Sequence, residues 1–66
     1  MSDDEQLKAA IIDVLERDRH THKSLRQTVS AEHDCSEEAV SQAISALHES
    51  GVIEHEQGYF ALATDG

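Results

Sequence analysis

The residues of this chain with the most varied chemistry are its histidines and its one cysteine. His20 and His22 form a His-x-His pair, His33-Asp34-Cys35 sets a nitrogen ligand beside a sulfur ligand, and His48 stands further on. Imidazole and thiolate bind zinc when they come in paired sets at regular intervals. These intervals match no such set, so no metal and no cofactor is expected. Cys35 has a plainer use as the small apolar residue just before a helix start, which places it in the core. Histidine also changes charge near neutral pH, which opens a pH response. Serine, histidine and aspartate all occur, but no nucleophile elbow or glycine-rich phosphate loop holds them. No catalytic residue is assigned, and the chain is read as a non-enzyme.

A second chemistry is anion binding. Residues 17–26 read RDRHTHKSLR, four basic residues and one acid, a local charge of +3. The whole chain carries −9, which leaves −12 on the other 56 residues. Arg19, Lys23 and Arg26 lie in this basic stretch, which can serve as an anion-binding patch or simply complement helix dipoles.

The chain that must position these groups is small. Sixty-six residues make one domain, and a chain of that size buries only about 60% of its unfolded surface. Fourteen acidic residues face five basic ones, only two of them lysine. The acids are spread along the length and bulky apolar residues are few, a composition that resembles haloarchaeal proteins. At about 1 M salt the Debye length is near 3 Å, so self-repulsion is largely screened there. Met-Ser-Asp-Asp-Glu at the N-terminus is acidic where a signal peptide needs basic residues. No apolar run approaches a membrane span. The expectation is a cytoplasmic protein with no membrane partner.

Helix one is expected over residues 3–17. Ser2 and Glu5 form a capping box, Asp3 and Asp4 suit the dipole, and Leu7, Ala10, Ile11, Val14 and Leu15 make an apolar stripe. Helix two is expected over residues 23–32, capped by Thr21 or Ser24, with Leu25 and Val29 as its large apolar residues. Ser36 caps helix three, expected over residues 37–50, and Gly51 stops it. Val40, Ala43, Ile44 and Leu47 share one face of that helix, while Ser41, Gln42, Ser45, His48 and Glu49 fall on the wet side. Val52-Ile53 and Tyr59–Leu62 are short strands with Gly58 in the turn between them. Strand alternation turns one of Tyr59 and Phe60 inward and the other out. Residues 64–66 are expected to fray.

The order helix, helix, helix, hairpin resembles the winged-helix (winged helix-turn-helix) family. The resemblance rests on Leu25 and Val29, Cys35-Ser36 entering helix three, then Val40, Ile44, Leu47, Gly51-Val52-Ile53, Gly58-Tyr59 and Leu62. It implies an α+β fold of three helices and a C-terminal two-stranded β-wing over residues 52–62, with a minimal extra strand near Thr21.

In this family the third helix enters the major groove, the start of helix two meets a phosphate, and the wing touches the backbone or minor groove. Carried onto this chain, Ser41, Gln42 and Ser45 read bases, Arg19, Lys23 and Arg26 hold phosphates, and His55 and Gln57 serve the wing. The resemblance thus implies a small DNA-binding transcriptional regulator with double-stranded DNA as partner. A palindromic site would require a homodimer, for which so short a chain shows no obvious interface. The sequence departs from the family in having no arginine or lysine on helix three, with Glu37 and Glu38 at its start and Glu54 and Glu56 in the wing. That favours the alternative, a protein-binding winged-helix adaptor whose acidic surface meets a basic partner.

Overall fold

The structure, a computed structural model, describes residues 3–63, with side chains from residue 5 onward. In chain order the elements are α1 (Asp3–Arg17), β1 (His20–Thr21), α2 (His22–His33), α3 (Glu37–Ser50), β2 (Ile53–Glu56) and β3 (Tyr59–Leu62). The fold is α+β and matches the winged-helix layout: three helices, then a two-stranded hairpin to which the short β1 adds an edge.

Local chemistry sets the helix ends. Thr21 caps α2, its Oγ1 accepting from the Ser24 amide at 3.1 Å. Ser36 caps α3, its Oγ accepting from the Ala39 amide at 3.2 Å. Both helices end on a left-handed residue, Asp34 (φ 50°) and Gly51 (φ 81°). After each, the next amide bonds back into the last turn: Cys35 to the Ser30 carbonyl at 3.2 Å and Val52 to the Leu47 carbonyl at 3.0 Å. This satisfies carbonyls that a helix end would leave open. Helix α2 runs one residue further at each end than its sequence signals indicate, because the Thr21 cap starts it at His22.

The sheet order is β1-β3-β2, antiparallel throughout. Gln57 and Gly58 form the two-residue turn with φ of 51° and 86°. Positive φ at both positions is the signature of the type I′ hairpin turn, whose twist matches its strands. Val52, expected in the strand, lies just before it and is exposed; its amide closes the α3 cap on the Leu47 carbonyl, while its carbonyl accepts from the Ala63 amide at 3.0 Å. β1 comprises His20 opposite Phe60 and Thr21 opposite Tyr59.

One core joins these elements. Leu7, Ile11, Val14 and Leu15 of α1 meet Leu25 and Val29 of α2 and Val40, Ala43, Ile44 and Leu47 of α3. Ile53 and Phe60 close it from the sheet. Burying a side chain of this kind is worth about 1.5–3 kcal/mol. Phe60 is the ring turned inward and Tyr59, 44% exposed, the ring turned out. Cys35, expected inside, is only half-buried and packs at the core's margin, because it sits in the α2–α3 turn and not on a helix face. The capping role of Ser2, the side chains of Asp3 and Asp4, and residues 64–66 fall outside the described residues and side chains.

Candidate nucleic-acid interface

Helix α3 presents three different surfaces. At 3.6 residues per turn its core stripe is Val40, Ile44 and Leu47, and the ridge opposite is Glu38, Gln42, Ser45 and Glu49. All four ridge residues are exposed. The outermost line of α3 is thus two neutral polar side chains bracketed by two carboxylates.

The three residues expected to read bases do not converge on one point. Ser41 lies on the α2 flank, half-buried, with its Oγ 3.4 Å from His22 Nε2. Gln42 lies toward α1, where it shares a shallow depression with Lys8, Ala43 and Ala46. Ser45 stands between these flanks, exposed on the outer ridge. Lys8 is a cation the sequence reading missed, because only the packing of α1 against α3 carries it there.

The three expected phosphate contacts also differ. Arg26 is committed: its Nε donates to Glu37 Oε1 at 2.8 Å, tying α2 to the first turn of α3. Arg19 and Lys23 are exposed and make no ion pair among the described residues. They flank β1 and the start of α2. Of the wing residues, Gln57 is exposed in the turn, while His55 lies with its ring stacked on Phe60, centroids 4.5 Å apart at 17°.

That stack belongs to a larger arrangement. His48 of α3 meets Phe60 edge-on at 5.9 Å and His55 at 6.4 Å. His22, the first residue of α2, tilts toward Phe60 at 5.8 Å. Across the strands, β1 places His20 opposite Phe60, its Nδ1 3.0 Å from Ser24 Oγ. Three imidazoles from α2, α3 and β2 therefore ring one phenyl group at the junction of α3 and the β2–β3 hairpin. When the His22 ring is neutral, its two neighbours favour one tautomer. Arg26 Nη1, 3.4 Å from His22 Nδ1, can only donate, so Nδ1 accepts and Nε2 carries the proton toward Ser41. In the sequence, His22 and His48 read only as metal-ligand types and general pH-responsive groups, not as part of a nucleic-acid interface. Their one legible signal was the position of His48 seven residues after Ser41, on the same side of α3.

The other ligand-type residues are separated from this group. His33, Asp34 and Cys35 line a groove of about 440 Å³ beside Leu7 of α1. Among the described residues, no set of three or more His, Cys, Asp or Glu is placed to hold a metal ion. No described helix is long and apolar enough to cross a membrane. The chain matches no protein-family model, no curated protein and no solved structure.

Proposed function

We infer that this protein is a small winged-helix DNA-binding protein acting as a transcriptional regulator in the cytoplasm, with double-stranded DNA as its partner. One observation supports the reading: the start of α2, the flank of α3 and the wing bring two polar pairs to opposite sides of the Phe60 ring, His22 with Ser41 at 3.4 Å and His48 with His55 at 6.4 Å between ring centroids. Lys23 adjoins the first pair at the start of α2, and Ser45 adjoins it on α3. In this assignment Gln42 and Ser45 reach base edges, Ser41 supports them, and Arg19 and Lys23 hold phosphates. Gln57, with His55, serves the wing. Arg26 joins them only when Glu37 releases it. The acidity of the domain fits a salt-rich cytoplasm, where screening weakens both self-repulsion and repulsion from the duplex.

Titration of isotope-labelled protein with a mixed-sequence duplex, at moderate and at molar KCl, tests this. Shift changes concentrated in residues 41–48 and around Lys23 are expected. A bidentate base contact is worth about 1–3 kcal/mol, so Gln42→Ala should weaken binding to a preferred site by about tenfold or more. A spectrum unmoved by DNA at either salt concentration would reject the reading.

A second reading has its own support. The outer ridge of α3 ends on Glu38 and Glu49, and the outer face of the wing carries Glu54 and Glu56 beside the exposed Tyr59. That is the surface of an adaptor for a basic protein, with Tyr59 offering a face to arginine or lysine. Shift changes at Tyr59 on adding a lysine- and arginine-rich peptide, with none on adding DNA, would select it.

A further inference from the structure

We propose that the α3–wing face takes up protons when it binds a phosphate backbone, with His22, His48 and His55 as the cations that α3 otherwise lacks. The inference rests on the DNA-binding reading and extends it to the regulation of that site.

The geometry carries it in three steps. First, the rings are accessible: His48 and His55 are exposed and His22 is half-exposed, although all three lean on the buried Phe60. Second, they belong to three different elements, α2, α3 and β2, yet their ring centroids all lie within 5.9 Å of the Phe60 centroid. Third, the cation that touches the cluster, Arg26 with its Nη1 3.4 Å from His22 Nδ1, already has a carboxylate partner to move toward. From α2 the cluster faces Arg26, whose charge is answered by Glu37 of α3. β1 offers His20, held by Ser24, and β3 offers Phe60 itself. Glu54 and Glu56 of β2 flank His55 in sequence but point to the opposite face of the sheet, with Tyr59.

In the neutral state His22 accepts from Arg26. Protonation ends that contact, because both partners then only donate. A protonated His22 donates from both ring nitrogens, Nε2 beside Ser41 and Nδ1 beside Arg26, and so pushes Arg26 away, toward Glu37 or toward an incoming phosphate. His48 and His55, 6.4 Å apart, repel each other once both are charged. An anion between the α3 flank and the wing relieves that repulsion. Protons and DNA therefore bind with positive coupling, and each raises affinity for the other by the same factor.

The test uses the full chain and a dye-labelled mixed-sequence duplex at fixed ionic strength. Anisotropy is read at about pH 8 and about pH 6, a window that spans ordinary histidine titration and stays above the carboxylate range. Couplings between two binding events are commonly about 5–150-fold, and we expect affinity about tenfold higher at the lower pH. His48→Gln/His55→Gln keeps polar side chains that cannot gain a proton, and should reduce the ratio to about twofold or threefold. His33→Gln, which removes a histidine outside the cluster, should leave the ratio intact. Histidine ring resonances followed by NMR should titrate at higher pH with DNA bound for residues 22, 48 and 55. Circular dichroism at both pH values checks that each variant is folded. DNA binding with the same affinity at both pH values would overturn the proposal and spare the DNA-binding reading. So would a ratio that the double variant does not change. Absence of DNA binding at either pH would overturn both.

Discussion

Arg26 of α2 and Glu37 of α3 form a 2.8 Å ion pair across the turn that joins the two helices. The pair is partly open to solvent, with side-chain exposures of 30% and 52%. Pairs of this kind contribute about 0.2–1 kcal/mol, so its weight lies elsewhere. It neutralises one of the few cations near α3 and does so through a carboxylate at the start of that helix.

Glu37→Gln releases Arg26 while keeping a polar side chain. Under the DNA-binding reading it should tighten duplex binding several-fold, since one more guanidinium becomes available to phosphate, and steepen the salt dependence by about one counterion. The stability cost should stay within about 1 kcal/mol in urea unfolding. A variant that binds DNA no better than the parent would show that Arg26 does not reach the backbone.

The wing turn is not optimised. Gln57 holds φ 51° immediately before Gly58, a conformation that asparagine and glycine adopt more readily than glutamine. Gln57→Asn creates the favoured Asn-Gly turn and should stabilise the domain by about 0.4–1 kcal/mol. For a domain of this size that is a rise of several degrees in melting temperature, about 4–8 °C per kcal/mol. A lower melting temperature would mean that the glutamine side chain makes a contact worth more than the backbone strain.

The core has little to spare. Ile44 is 1% exposed and stands where α3 meets the rest of the core cluster. Ile44→Ala should cost about 2–5 kcal/mol, comparable to the whole stability of so small a domain. The expected result is a largely unfolded chain by circular dichroism at room temperature. Ile44→Val, at about 0.5–1.5 kcal/mol, should remain folded with a lower urea midpoint.

Charge repulsion gives the domain a salt requirement. The formal net charge is −9, and the described residues contain two ion pairs, both partly or largely exposed. Raising KCl from about 0.1 M to about 2 M shortens the Debye length from about 10 Å to a few ångströms. The melting temperature should rise with KCl accordingly. Equal melting temperatures at the two concentrations would refute the link between this composition and a salt-rich setting.

How much of this was written in the chain can be judged residue by residue. Ser36 and Gly51 bracket α3 at the bounds that the cap chemistry predicts, because capping is decided within a few residues. The apolar stripe of α1 and the hairpin around Gly58 were legible for the same reason, since periodicity and turn geometry are local. The resemblance supplied the expectation of a strand near Thr21, where two residues hold no period to read.

Tertiary structure decided the site. Sequence placed Ser41, Gln42 and Ser45 on the wet side of α3, but only the packing of α1 and α2 sends Ser41 toward His22 and Gln42 toward Lys8. Helical spacing fixes angles around one axis and says nothing about what stands opposite each angle. The pairing of Arg26 with Glu37 and the gathering of His22, His48 and His55 around Phe60 follow from how separate elements cross. Those crossings are set by the shapes of buried Leu25, Ile44 and Ile53, so polar partners from distant parts of the chain meet as a consequence of apolar packing.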